Sequence, residues 1–167
     1  SMRLVGTIKH RWDTTPSRYR PVEIYVDSIG LGGPIADRLA ELGLPITHVN
    51  VSEVAAVQDR YVRLRDELWY SVRHWFEAMD VTMPTVRDNP LVEKLTHELA
   101  SVESEYMSTG KLQVESKEKL KRRGLKSPNL ADAVCLTCAG DGAVTSGSKD
   151  GGWSRVDVSK YRPPGVI

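Results

Sequence analysis

Two short runs of apolar and β-branched residues, at residues 22–27 and 46–51, flank an amphipathic stretch at residues 35–42. The two runs predict strands, and the amphipathic stretch predicts a helix. A glycine-rich turn at residues 28–34 leads into this helix, and Gly43 follows its last turn, where glycine commonly ends helices. The order of strand, turn, helix and strand predicts a βαβ unit with a parallel pair of strands.

The rest of the chain is predicted to be mainly helical. Residues 59–79 carry large apolar side chains at intervals of three and four, which predicts a long helix with a buried stripe. The stripe comprises Tyr61, Leu64, Leu68, Val72, Trp75 and Phe76. Other predicted elements are a strand at residues 4–9, helices at 91–99, 116–123 and 128–139, and a β-hairpin around Gly110 at 103–116. Ser127 and Pro128 fit the N-cap and the first position of the last helix.

Composition indicates an ordinary globular domain. The chain has 167 residues, of which 40% are hydrophobic and 27% charged, and this suits a single core. The net charge of +1 favours no class of partner, and no apolar run is long enough to span a membrane. We expect a folded domain over residues 2–139, followed by a flexible segment and an irregular tail over residues 140–167, which begin with many Gly, Ser and Asp residues.

The only two cysteines, Cys135 and Cys138, form a C-x-x-C pattern inside an apolar run. This spacing occurs in redox pairs and in zinc sites, but a zinc site needs further ligands, and the sequence has no second cysteine pair. The alternative is that both side chains face the core of a helical segment. We expect two buried thiols in a reducing environment.

Three polar residues are candidate metal ligands. Asp27 ends the first strand of the βαβ unit, and ligands of open α/β sheets bind at the carboxyl ends of strands. Asn129 and Asp132 are three residues apart at the start of the last predicted helix, so they share a face. Carboxylate and amide oxygens suit a hard cation such as Mg²⁺, so we expect Asp27 and Asp132 to converge on a shared metal. The alternative for Asp132 is that it only stabilises the helix start.

The glycines of residues 30–33 allow a second interpretation, a phosphate-binding loop. Their order matches neither the G-x-G-x-x-G pattern nor the P-loop pattern, which disfavours it.

Six cations lie within the ten residues 117–126. They are Lys117, Lys119, Lys121, Arg122, Arg123 and Lys126. Such a cluster favours binding to the phosphate backbone of DNA rather than reading of bases. A solvated helix face is the alternative.

Several motifs, in this order, resemble the nuclease domain of phage terminase large subunits. They are residues 24–33, Arg60-Tyr61, residues 65–69, Gly110-Lys111, and residues 115–118, 121–124 and 127–133. The resemblance covers residues 22–137. It implies an α/β, RNase H-like fold, in which helices flank a mixed sheet. It also implies an Mg²⁺- or Mn²⁺-dependent endonuclease that cuts concatemeric viral DNA by two-metal hydrolysis of phosphodiesters.

The resemblance assigns roles to three residues. Asp27 and Asp132 match catalytic, metal-binding acids, and Asn129 matches a metal-binding position that is often Asp or His. The family's first catalytic Asp, on an opening strand, has no counterpart here, and neither does its ATPase domain. We therefore expect the chain to start after that strand, either as a fragment or as a prophage remnant, with an incomplete site that binds Mg²⁺ more weakly than Mn²⁺.

The family resemblance also implies partners. These are double-stranded DNA, the portal, the small terminase subunit and the ATPase domain, in the cytoplasm of a bacterial host and with no membrane association. Two other functions stay open. One is a catalytically incomplete remnant that only binds DNA, and the other is a different RNase H-like nuclease such as a junction resolvase.

Overall fold

The structure, a computed structural model, describes residues 2–79 and 81–141 and contains the predicted βαβ unit. The strands β1 (Ile24–Asp27) and β2 (Ile46–Val49) pair in parallel along their whole length. The helix α2 (Gly32–Glu41) connects them. Gly43 has a φ of +81°, the left-handed conformation that glycine adopts at little cost after a helix. The predicted order of these elements is confirmed.

The first element is a helix, so the strand predicted at residues 4–9 is wrong. The helix α1 (Met2–Thr14) buries Val5 and packs Ile8 and Trp12 into the same apolar cluster as side chains of α2 and of both strands. These three side chains recur at intervals of three and four residues, which places them on one face of a helix. The helical spacing of these three side chains outweighs the β-branched character of residues 4–9, on which the predicted strand was based.

The long helix is shorter than the predicted range of residues 59–79. The helix α3 (Leu64–Glu77) begins where the carboxylate of Asp66 accepts a hydrogen bond from the backbone N–H of Arg63, at 2.8 Å. Such a bond satisfies one of the amides that a helix start leaves without an intrahelical partner. Before this point the chain forms isolated β-bridges instead of helical turns.

The predicted apolar stripe is confirmed in its first part only. Tyr61, Leu64, Leu68 and Val72 are buried in the main core. Trp75 and Phe76 are each 41% exposed, so their predicted burial is wrong. Neither belongs to the cluster in which α3 packs with the hairpin and the last helix.

The other elements lie close to their predicted positions. They are α4 (Leu91–Ser101), β3 (Ser104–Tyr106), β4 (Leu112–Val114), α5 (Lys117–Arg122), α6 (Asn129–Thr137), and short 3₁₀ helices at Ser17–Tyr19 and Cys138–Asp141. The strands β3 and β4 form the predicted antiparallel hairpin around Gly110. The α/β class is confirmed, and the strands of the described chain form two separate two-stranded sheets.

The parallel pair lies between two apolar clusters. Ile24 and Ile46 pack with α1 and α2, whereas Tyr25 and Val49 pack with α3 and α6. This division follows from the strand geometry, because successive side chains of a strand point to opposite faces. The layering places α6 in contact with β1, the strand that ends in Asp27.

The flexible segment and tail predicted for residues 140–167 fall largely outside the described residues, which end at residue 141. Gly140 and Asp141 belong to the second 3₁₀ helix. Over the described ranges, no helix combines the length and the apolar character that a membrane span requires.

Gly32 opens α2 directly against the end of β1. A Cβ atom added there would lie 1.8 Å from the carbonyl oxygen of Asp27, a backbone atom that cannot move aside alone. We expect Gly32→Ala to lower the free energy of unfolding by about 1–3 kcal/mol, measured by urea denaturation. Gly6→Ala is the control, because Gly6 lies inside α1 and no atom of a described residue lies within 4 Å of the added atom. It should stabilise the domain by about 0.5–1 kcal/mol. A stabilising Gly32→Ala would contradict the close contact.

Candidate functional site

A cavity of about 250 Å³ brings together side chains from distant parts of the chain. Its polar lining comprises Asp27, Arg65, Lys117, Asn129 and Asp132. Its apolar lining comprises Val51, Leu68, Trp69, Ala133, Cys135 and Leu136. All three candidate metal ligands therefore lie at one cavity, and their roles as ligands stay predictions.

Asp27 is held at the carboxyl end of β1. Its Oδ1 accepts a hydrogen bond from the backbone N–H of Ile29 at 3.1 Å, the pattern of an Asx turn. The next residue, Ser28, donates its backbone N–H to the carbonyl of Val49 at 2.9 Å and so continues the pairing with β2. The half-buried carboxylate is thereby fixed at the sheet edge where ligands of α/β proteins bind.

Asp132 lies on the first turn of α6 and contacts three side chains. Its Oδ1 accepts a hydrogen bond from the indole N–H of Trp69 at 3.1 Å and lies 3.5 Å from Nη2 of Arg65. Its Oδ2 lies 3.4 Å from Nζ of Lys117. Two cations thus compensate the charge of one carboxylate, and a metal ion that binds Asp132 competes with them.

The two cations differ in how firmly they are held. Arg65 donates from Nη1 to the carbonyl of Glu115 at 3.0 Å, and its guanidinium lies 5.6 Å from the centre of the Trp69 ring. Its side chain is 17% exposed, whereas that of Lys117 is 49% exposed. Among the described residues, the buried Nε and Nη2 atoms of Arg65 have no hydrogen-bond partner, so the contact of Nη2 with Asp132 is an ion pair only. Arg65 is therefore a fixed cation, and Lys117 has room to move.

Arg65 and Trp69 were not among the predicted site residues. They lie four residues apart and therefore share a face of α3, the face that meets Asp132. Both residues also belong to the motif at residues 65–69 that resembles the terminase nuclease family. This motif was the signal from which a role at the site could have been predicted.

The start of α6 differs from the predicted cap. Ser127 was expected at the N-cap, but Pro128 occupies that position and makes no side-chain hydrogen bond there. The backbone N–H groups of Leu130 and Ala131 instead donate to Oε2 of Glu98, at 2.7 and 3.0 Å. The predicted cap is wrong because a carboxylate from α4 takes both amides.

The donor set of the cavity fits one hard cation. Asp27 and Asp132 supply carboxylates, Asn129 can add an amide oxygen, and water can complete the octahedral shell that Mg²⁺ prefers. Over residues 2–79 and 81–141, no cluster of three or more Asp, Glu, His or Cys side chains is arranged to hold a metal. Two ions about 4 Å apart need more ligands than this pair of carboxylates provides.

Cys135 and Cys138 form no disulfide bond with each other and both are buried, as predicted. Cys135 lines the cavity, where burial raises the pKa of its thiol, and the nearby charge of Asp132 raises it further. The thiol therefore stays protonated at neutral pH. Because metals bind the thiolate rather than the thiol, Cys135 is a poor additional ligand.

The cationic cluster makes several kinds of contact. Lys117 faces Asp132 in the cavity. Lys119 pairs with Glu105 of the hairpin, and Arg123 pairs with the buried carboxylate of Glu115. These ion pairs attach α5 to the hairpin, so they leave less of the cluster available to a ligand.

Three members of the cluster remain accessible. Lys121, Arg122 and Lys126 are exposed and form no ion pair with any described residue. Three of the six predicted residues can therefore contact a phosphate backbone without breaking an ion pair.

No protein-family model matches the sequence, and no curated protein matches it. Solved structures do match, and among them are forms of the nuclease domain of the large terminase subunit gp2 of bacterial virus Sf6. A mutant form with manganese gives a TM-score of 0.54 at 21% identity, over 68% of this chain and 65% of that one. A form with manganese and β-thujaplicinol gives a TM-score of 0.53 at 21% identity, over 68% of this chain and 64% of that one. A form with calcium gives a TM-score of 0.52 at 22% identity, over 68% of this chain and 64% of that one.

This chain spans 64–65% of the length of those three structures. At such low identity the similarity establishes the fold alone. The chain has the α/β, RNase H-like fold of the nuclease domain of a phage large terminase subunit.

Proposed function

We propose that this domain, over residues 2–139, is a divalent-metal-dependent DNA endonuclease. The observation that carries the proposal is the cavity in which Asp27, from a strand end, and Asp132, from a helix start, lie together with Asn129. Oxygen ligands of this kind suit Mg²⁺ and Mn²⁺. The similarity in fold to a terminase nuclease domain solved with manganese or calcium supports the same conclusion.

The residues of the cavity have distinct tasks in this proposal. Asp27 and Asp132 hold the cation and Asn129 adds a neutral oxygen, whereas the indole N–H of Trp69 fixes the orientation of Asp132. Lys117, whose Nζ lies 3.4 Å from Oδ2 of Asp132, would give up this contact to the cation. Arg65, held by the carbonyl of Glu115 and by the Trp69 ring, offers a fixed positive charge to a phosphate group. The bound cation supplies Lewis-acid polarisation of the phosphodiester and activation of water.

The biological setting follows from the family resemblance and the fold. We propose that double-stranded, concatemeric viral DNA is the substrate, and that cutting accompanies DNA packaging. The portal, the small terminase subunit and an ATPase domain are the proposed partners, in the cytoplasm of the bacterial host. The cations Lys121, Arg122 and Lys126 are the proposed contacts to the DNA backbone.

One observation favours a second candidate, a DNA-binding domain without hydrolytic activity. Both Arg65 and Lys117 contact Asp132, so two cations compensate the charge of this carboxylate without a metal ion. Such a domain would keep the exposed cations of α5 and lose only the metal.

Removal of either carboxylate tests the metal site. We expect the chain to nick supercoiled plasmid in millimolar Mn²⁺ and only feebly in Mg²⁺, because Mn²⁺ binds an incomplete oxygen site more tightly. Asp27→Asn and Asp132→Asn should weaken Mn²⁺ binding, measured by calorimetry, by at least about 10-fold. This is the loss of metal affinity that follows when a group that only supports a metal ligand is removed. The rate of plasmid nicking should fall by at least the same factor.

Asp37→Asn is the matched control, since Asp37 is an exposed acid of α2 outside the cavity lining. It should change neither Mn²⁺ binding nor nicking. Wild-type DNA binding without Mn²⁺ binding or nicking would favour the second candidate. Equal Mn²⁺ affinity in all three variants and in the wild type would rule out the carboxylate site.

The exposed cations are tested by the salt dependence of DNA affinity. Changing Lys121, Arg122 and Lys126 to Gln should reduce the slope of log affinity against log salt by about 0.9 for each phosphate that the variant no longer neutralises, with an equal effect for all DNA sequences. The control removes three other exposed cations, Arg3, Arg11 and Arg87, for the same change in net charge. A similar change of slope in both triple variants would show that only the overall charge matters.

A further inference from the structure

The first turn of α6 is held by a carboxylate from another helix. Glu98 of α4 points Oε2 at the backbone N–H groups of Leu130 and Ala131, at 2.7 and 3.0 Å. Glu98 is 9% exposed, and Pro128 at the cap position makes no side-chain hydrogen bond. A single buried anion thus satisfies two amides that the helix start leaves without an intrahelical partner.

This contact lies at the residues that carry the candidate ligands. Asp132 follows Ala131 directly, and its backbone N–H donates to the carbonyl of Pro128 at 2.8 Å, in the same turn that contains Asn129. One residue of an α-helix corresponds to a rotation of about 100° around the helix axis. Any unwinding of this turn therefore turns the carboxylate of Asp132 out of the cavity.

Charge as well as hydrogen bonding contributes to the contact. A carboxylate at the N-terminus of a helix interacts favourably with the helix dipole. The other oxygen of Glu98 lies 3.8 Å from Nζ of Lys94, but that side chain is 61% exposed, so the ion pair is weak. The two amides are thus the principal partners of Glu98. A glutamine in its place can still accept both hydrogen bonds with its single carbonyl oxygen, but these bonds are weaker because the glutamine carries no charge.

We propose that Glu98 is a positioning residue for Asp132. By fixing the first turn of α6, it keeps the carboxylate of Asp132 against Trp69 and inside the cavity, and it thereby sets the affinity of the cavity for a divalent cation. The effect on the cation rests on the proposed function, whereas the effect on the position of Asp132 does not.

The indole N–H of Trp69 provides a direct readout, because it donates to Asp132. Its resonance in ¹⁵N-labelled protein can be assigned by comparison with Trp69→Phe. We expect Glu98→Gln to shift this resonance and to weaken Mn²⁺ binding by about 10-fold or more. Glu98→Asp keeps the charge on a shorter side chain and should have a smaller effect. Glu93→Gln is the matched control on the exposed face of α4 and should change neither quantity.

The outcomes separate this proposal from the proposed function. A folded Glu98→Gln variant with an unchanged Trp69 resonance and unchanged Mn²⁺ affinity would overturn the proposal. A shifted resonance in a protein whose wild type binds no Mn²⁺ would support the positioning role and reject the metal site.

A measurement on the wild-type protein covers the case in which Glu98→Gln does not fold. Hydrogen exchange at the amides of Leu130 and Ala131 should be at least about tenfold slower than at Lys117, the first residue of α5, because a buried carboxylate protects them. Exchange as fast as that of Lys117 would contradict the contact itself.

Discussion

Buried carboxylates that accept backbone N–H groups hold this domain together. Asp66, Glu98 and Glu115 are buried, and each accepts such a bond from a segment distant in sequence. Asp66 takes the N–H of Val114 at 2.8 Å, Glu98 takes two amides of α6, and Glu115 takes the N–H of Glu103 at 3.3 Å. An unpartnered charge in the interior is very costly. The relative placement of α3, α4, α6 and the hairpin therefore depends on these donors staying in position.

The acids of the cavity are held differently from the buried ones. Asp27 and Asp132 are half-buried, and Asp132 meets the side chains of Trp69, Arg65 and Lys117 rather than backbone amides. Among these partners, Lys117 is exposed enough to give way to a ligand, whereas the backbone donors of a packed helix are not. Buried carboxylates that accept backbone amides of packed segments thus serve the architecture, whereas Asp132, which has an exposed lysine among its partners, remains available to a ligand.

The parts that could be predicted from the sequence have local signals. The βαβ unit follows from two apolar runs and from Gly43, and Asp27 and Asp132 stand at a strand end and a helix start within recognisable motifs. The contact of Trp69 with Asp132 spans 63 residues and exists only because α3 packs on α6. Glu98 likewise reads as an ordinary acid of a helix face, because its partners lie 32 and 33 residues away. Neither contact leaves a periodic or compositional trace.

The sequence span of the cavity has a consequence for folding. Its lining begins at Asp27 and ends at Leu136, so its assembly requires the closure of long loops, whose entropic cost precedes any gain from contacts. A partly folded chain that contains only β1, α2 and β2 has Asp27 in place but nothing opposite it. The site is therefore a property of the completed domain. Neither a nascent chain nor a proteolytic fragment that stops before α6 can carry it.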